Sequence, residues 1–347
     1  MKHVRLLAAM LLLAAVGAVH AAVPNEDAVP AYAEEQTILQ LEQGRQQPGW
    51  TDRASGIEHR DRHTVIEPGR QREYAVILQR GGNTWRVLRN GPLAVAAALL
   101  LLVTLAAIVA FHVMIGPLRT PGGPDRPQPG EPTLVRFTRG QRWVHWATAL
   151  SFVVLGLTGL LMLYGKKLVL PWLGNDAFAA LALACKWLHN VAGPLFVVFS
   201  LVMFFTYLRH NHFQRGDGSW LLRLGGMFSH RHVEAPYFNA GEKLWFWIGV
   251  TGLGLLMAAT GLVLDFPYRG EVGDVNAFTR YQLQWAQVLH LVGAALYLAA
   301  SLGHIYLGTI GSPGAWHAMW RGTVSERWAQ AHHALWLDRV RRTRSSS

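Results

Sequence analysis

The stretch HLVGAALYLAASLGH, residues 290–304, holds two histidines and no charged side chain between them. It sits inside a longer apolar run, 284–310, which at ~1.5 Å per residue is long enough to cross ~30 Å of hydrocarbon as a helix. Fourteen helical steps of ~100° return His304 to within ~40° of the face that carries His290, and fourteen rises set it ~21 Å further along the axis. One membrane helix therefore offers two imidazoles on one side, at two depths. Ionisable side chains are costly at membrane depth, so such a pair is a functional signal.

Four more runs of the same kind precede it, at 92–115, 143–164, 187–208 and 243–265. The composition agrees: 51% of the 347 residues are hydrophobic and 15% charged, with the apolar residues in charge-free blocks, as in a membrane protein. The net charge of +11 comes from arginines beside those blocks, which suits lipid headgroups and not a nucleic-acid backbone. The single cysteine, Cys185, rules out a disulfide framework and a cysteine-ligated zinc or iron-sulfur centre within this chain. Without a C-x-x-C-H motif there is no covalently attached c-type haem. Cys185 reads as an inert buried thiol.

At the N-terminus Lys2, His3 and Arg5 precede the apolar run Leu6 to Val19, and Val19 and Ala21 suit a cleavage point. Residues 1–21 are thus expected to be a secretory signal peptide, the run being short for an uncleaved anchor. Residues 22–91 then form a small periplasmic segment, with a short strand at Tyr74–Leu78 and a turn at Gly81-Gly82-Asn83. The first span, 92–115, is followed by a Pro/Gly-rich linker, GPLRTPGGPDRPQPGEP from Gly116, that sets it apart as an appended anchor. Lysines and arginines supply a second argument for orientation. Residues 116–142, 209–243 and 311–347 hold sixteen, while the connections 165–186 and 266–283 hold five: Lys166, Lys167, Lys186, Arg269 and Arg280. The richer side is expected in the cytoplasm, where a secreted N-terminus followed by one span also places it.

With that orientation, His145 begins its helix at the cytoplasmic side, His189 begins the next at the periplasmic side, and His290 and His304 follow at the two depths already described. Pairing by depth joins His189 to His290 and His145 to His304. Each pair is able to clamp one haem iron through both axial positions, which makes an electron carrier and leaves no open site for oxygen or peroxide. Gly193, Gly293 and Gly303, close to the ligands, leave room for a macrocycle or for close helix packing. A single membrane histidine is explained by a hydrogen bond between helices; four that pair by depth, two of them on one face, point to haem. His112 finds no partner at its depth. His210, His212, His230, His232, His317, His332 and His333 read as solvated loop residues, not as a metal site.

From Leu134 to Asp338 the sequence resembles the gamma subunit, cytochrome b556, of membrane-bound respiratory formate dehydrogenases. The resemblance rests on RFTRGQRWVHW around His145, WLHNVAG around His189, YFNAGEKLWFW entering the fourth span, the His290 to His304 spacing, and GTVSERWAQAHHALW in the tail. It implies an all-α membrane protein with a four-helix transmembrane bundle holding two b haems over 134–338, to which this chain adds one extra N-terminal transmembrane helix, a linker at 116–133 and a cytoplasmic tail at 339–347. It implies the same ligand pairs, and a quinone site (menaquinone or ubiquinone) on the cytoplasmic side formed by Asn239, Ala240, Gly241 and the ligand His304. Glu242 stands where the family also has glutamine; its carboxylate either delivers protons to the quinone or caps the next helix. The resemblance further implies the bacterial inner membrane, an iron-sulfur beta subunit, a molybdenum or tungsten catalytic alpha subunit that holds the formate site, and a trimer of such heterotrimers. Two readings stand beside it. One is the cytochrome b anchor of a nickel-iron uptake hydrogenase or a related molybdoenzyme; the other is a haem-free scaffold or transporter, although the spans hold almost no charged residues.

Overall fold

The computed structural model describes residues 85–121, 124–228, 233–267 and 278–345. The expected signal peptide, the strand at Tyr74–Leu78, the following glycine turn, His230 and His232 lie outside them. The chain divides into two compact units, residues 1–96 with 280–284, and residues 97–279 with 285–347. Both histidine pairs lie in the second.

Five helices are long and apolar enough to cross a membrane: Trp85–Met114, Arg139–Leu168, Leu170–His210, Ala240–Asp265 and Tyr281–Gly311. Four of them contain an expected run whole, and the first covers 92–114 of the expected 92–115 and begins at Trp85 among the described residues. Its regular part is α1 (Ala94–Met114), preceded by a wide turn at Arg89–Leu93 where Gly91 leaves helical geometry and Pro92 follows. After the linker come the short strand β1 (Thr133–Val135), α2 (Arg139–Leu168), α3 (Leu170–Tyr207) and the one-turn α4 (Asp217–Leu222). The fourth span runs through α5 (Ala240–Leu244), a π-helical stretch at Trp245–Leu253 and α6 (Gly254–Asp265). The fifth is α7 (Arg280–Tyr306) with a π turn at Leu307–Gly311. The tail forms α8 (Ala315–Arg321), β2 (Thr323–Ser325), α9 (Glu326–His332) and α10 (Ala334–Ser345).

Leu150, Leu157, Phe205 and Leu255 stand mostly exposed on the spans, the arrangement lipid requires and water penalises. The connection expected at 165–186 is largely helix. α2 continues to Leu168, α3 begins at Leu170, and the break falls at Gly174 (φ 75, ψ 172). The run Ala177–Ala184 is rich in strong helix formers, and at ~1.5 Å per residue α3 outreaches ~30 Å of hydrocarbon, so its first turns extend beyond it. Cys185, on this stretch, is partly exposed instead of buried.

At the opposite end the linker, the middle loop and the tail fold together. β1 pairs antiparallel with β2, Leu134 opposite Val324, over a core of Leu134, Phe137, Phe238, Val324, Trp328 and Leu337 that continues into Met203, Tyr207 and Phe246 of the spans. Arg327 bridges to Glu131 of the linker at 2.9 Å. The three basic segments thus share one end, as the charge count requires. Two expectations are corrected here. His333 is 2% exposed, not solvated; it is held between Pro236 O at 2.9 Å and Arg136 Nη2 at 3.2 Å. His112 does have a partner, the Tyr306 hydroxyl, 3.0 Å from its Nδ1. With Phe111 edge-on to Tyr306 and Leu118 N–H donating to Gly311 O, the end of the first span docks on the end of the fifth.

Candidate functional site

The bundle brings the four expected histidines into two pairs. The ring centroids of His189 and His290 are 6.4 Å apart, and those of His145 and His304 are 6.2 Å apart. Two metal–nitrogen bonds of ~2 Å plus two ring radii set imidazoles that share one iron roughly 6 Å apart, so both pairs fit an axially ligated iron. Among the described residues no group of three or more His, Cys, Asp or Glu converges on a metal position. An ion between either pair would need further ligands besides these two histidines, and a haem macrocycle is one donor set that provides them.

The His189/His290 pair is held by residues the sequence reading passed over. Thr158 Oγ1 lies 2.8 Å from His189 Nδ1, and Thr260 Oγ1 lies 2.9 Å from His290 Nδ1. Each hydroxyl donates its own proton to the carbonyl four residues back in its helix, Val154 O and Leu256 O, both at 2.7 Å. It is left to accept from the imidazole, which places the ring proton on Nδ1 and makes the Nε2 lone pair available to a metal. Gly159 and Gly261 follow the threonines, and a Cβ there would stand 3.5 Å from His189 Cε1 and 3.4 Å from His290 Cε1. Each imidazole thus lies directly against helix backbone. The signal was present in the sequence as a repeat: Thr-Gly-Leu at 158–160 and again at 260–262, placed 31 and 30 residues before a histidine.

The other pair is built differently. Thr138 caps α2 with Gln141, its Oγ1 accepting from Gln141 N–H while Gln141 Oε1 accepts from Thr138 N–H. This fixes the helix start two turns before His145. The buried Nδ1 of His145 has no hydrogen-bond partner among the described residues. His304 is stacked on Trp245, centroids 5.0 Å apart and planes at 14°, where the fourth span changes from α to π geometry. Between the two pairs on α7, Tyr297 packs on Phe152 at 4.7 Å and on Trp245 at 5.9 Å. Of the three glycines expected to make room, Gly293 is instead pressed on the fourth span, where a Cβ would meet Leu256 and Met257 within 3.1 Å. A Cβ at Gly193 or Gly303 would meet nothing within 4 Å.

The segment Asn239–Glu242 forms a capping box. Asn239 Oδ1 accepts from Glu242 N–H at 2.9 Å, and Glu242 Oε2 accepts from Asn239 N–H at 2.7 Å. One oxygen of the Glu242 carboxylate thus caps the helix, the role weighed against proton delivery. Ala240 is fully buried, and a Cβ at Gly241 would stand 3.0 Å from the Trp220 ring. The next residue, Lys243, forms a buried ion pair with Asp217 of α4 at 2.7 Å. Trp245, one turn further on, is the residue that touches His304. A cleft of about 730 Å³ opens nearby between the linker and the end of the fifth span, lined by Asp125, Arg126, Ile310, Trp316 and His317 among others, and Asn239–Glu242 do not line it.

The loop and tail motifs meet around Arg136. Its guanidinium lies over the rings of Tyr237 at 4.3 Å, Trp336 at 4.9 Å, Phe137 at 5.1 Å and Phe238 at 5.5 Å. It donates to Tyr237 O and to His333 Nε2. Burial pulls its pKa below the ordinary arginine value, and the four ring faces supply the compensating attraction.

The model of the prokaryotic cytochrome b561 family matches residues 136–322. The chain is 29% identical over 213 residues to the cytochrome b556(fdo) subunit of formate dehydrogenase from Escherichia coli K12, a match covering 61% of this chain and 95% of that protein. It is 26% identical over 210 residues to the cytochrome b556(Fdn) subunit of the nitrate-inducible formate dehydrogenase of the same strain, covering 60% and 91%. The equivalent subunit from Shigella flexneri matches to the same extent.

Proposed function

The chain belongs to the prokaryotic cytochrome b561 family, and we propose that it is the cytochrome b subunit of a membrane-bound formate dehydrogenase, carrying electrons from an iron-sulfur subunit to quinone. The observation that carries this reading is the pair of histidine clamps, 6.4 Å and 6.2 Å between ring centres, set on three spans at two depths. His145, His189, His290 and His304 would hold b-type haem, which would supply a one-electron carrier at each depth. His189 and His290 hold the one facing the periplasmic partner, and His145 and His304 the one facing the cytoplasm. The relatives named above are formate dehydrogenase subunits, which supports formate as the ultimate donor, oxidised at a molybdenum or tungsten centre on another subunit.

Quinone is bound beside His304 by Asn239, Ala240, Gly241 and Glu242. The capping box and the Lys243–Asp217 pair hold this segment rigid, and Trp245 links it to His304. Reducing a quinone consumes two electrons and two protons, and in this reading the Glu242 carboxylate passes protons from the cytoplasmic side while one of its oxygens caps the helix. Electrons moving inward and protons taken from the cytoplasm would charge the membrane.

The test is a reduced-minus-oxidised spectrum with haem quantitation on the chain purified together with its neighbouring subunits. Two b haems per chain, reduced by formate and reoxidised by a quinone analogue, are expected. Reduction by hydrogen and not by formate would reassign the donor to a nickel-iron hydrogenase. A preparation without haem would return the four histidines to a packing role.

A further inference from the structure

The two histidine clamps differ in one respect that bears on how each would hold its iron. At His189 and His290 the Nδ1 position of both rings is met by a threonine hydroxyl, at 2.8 and 2.9 Å. At the other clamp, His145 Nδ1 is buried with no partner among the described residues, and His304 lies flat on an indole. We propose that Thr158 and Thr260 are positioning residues for the haem held by His189 and His290: they fix both ligands in the Nδ1–H tautomer and lower the midpoint potential of that haem and not of the other. The proposal rests on the haem reading above.

The chemistry follows from which atom holds which proton. Each threonine has one hydroxyl proton, and the helix takes it: Thr158 Oγ1 donates to Val154 O and Thr260 Oγ1 to Leu256 O, both at 2.7 Å. This back-bond is a common way for a threonine to satisfy itself inside a helix. The oxygen lone pairs then face the imidazole N–H. An acceptor on Nδ1–H draws that proton away from the ring, raises the basicity of Nε2 and favours the ferric iron over the ferrous, which lowers the potential. The same bond sets the ring plane. Gly159 and Gly261 let both rings lie against the backbone beside their threonines, a Cβ there coming within 3.5 and 3.4 Å of the ring carbon Cε1. The device occurs twice, with the same Thr-Gly-Leu and nearly the same spacing to the ligand, 31 and 30 residues, once in each helical hairpin.

The experiment is a redox titration of the full complex in native membranes, resolved into its two b-haem components. His189→Ala first identifies the component concerned by removing it. Thr158→Val and Thr260→Val, which keep the side-chain shape and delete the acceptor, are each expected to move that component to higher potential. The double variant should move it further, with the other component unmoved and both haems retained. The low-spin ferric resonance of the same haem should change with it, and Thr158→Ser and Thr260→Ser should restore both readouts. If valine prevents assembly, Thr158→Ala and Thr260→Ala carry the same comparison without the branched carbon. Val or Ala variants that keep two haems at wild-type potentials would overturn the proposal, as would equal shifts in both components. A wild-type complex without two b haems would instead overturn the function on which the proposal rests.

Discussion

The Asp217–Lys243 pair allows a quantitative test of how the segment proposed to bind quinone is held. The two groups meet at 2.7 Å with their side chains 7% and 1% exposed, and the same aspartate oxygen accepts the Gln214 N–H at 2.6 Å. At an effective dielectric of ~20, opposite charges this close attract by about 6 kcal/mol. Desolvation cancels much of that, and deleting one partner of a buried pair typically costs ~3–5 kcal/mol because the other charge stays buried alone. Asp217→Asn is therefore expected to weaken folding of this end of the bundle by roughly two to four powers of ten. Replacing both partners with apolar residues, Asp217→Leu with Lys243→Met, should restore most of the loss, since no buried charge is left unpaired. The assay is thermal melting of the detergent-solubilised complex followed through its haem absorbance, with quinone reduction measured at a temperature where every variant remains folded. The single variant should melt lowest, the double variant near wild type. An Asp217→Asn protein that melts with wild type would refute the reasoning, since it would mean that water reaches the pair.

Three further outcomes follow. His189→Ala should lose one b haem and keep the other, whereas His304→Ala should lose the other haem and with it quinone reduction; two haems in either variant, by haem extraction, would sink the ligand assignment. Gly261→Val should displace His290, because a Cβ there would stand 3.4 Å from its ring carbon Cε1 and a methyl branched toward the ring would come closer still; the expected readout is one haem per chain with helix content unchanged by circular dichroism. Arg136→Met should cost about 1–3 kcal/mol by removing the cation–π contacts and the hydrogen bond to His333 Nε2. Arg136→Lys should not rescue it, since an ammonium lacks the planar guanidinium that lies over the rings of Tyr237, Trp336, Phe137 and Phe238, and melting temperatures of the two variants check this.

Much of this architecture was legible because a membrane simplifies the physics. Apolar runs of twenty or more residues have one stable form in lipid, a helix, and the fifth run carries its two histidines on one face through helical periodicity alone. Pairing by depth then left little choice of partner. The loops were harder. His333 follows His332 in a polar tail and reads as solvated; only the approach of Pro236 and Arg136, 97 and 197 residues away in sequence, reveals a buried link. The 165–186 connection was misread because the apolar run ends before the helix does, and helix formation outside lipid depends on propensity and packing more than on hydrophobicity.

The sequence by itself determined the number of spans, the four histidines and their sorting into two depths, since these depend on length, period and the cost of burying a polar group. Only the tertiary structure decided what surrounds each pair: threonine acceptors at one, an unpartnered ring nitrogen and an indole stack at the other, and the convergence of three basic segments on Arg136. Helical period fixes which residues share a face, but the residue that meets that face comes from another helix. Its identity depends on crossing geometry and register, which are settled by packing among spans that all look alike to a hydropathy scale.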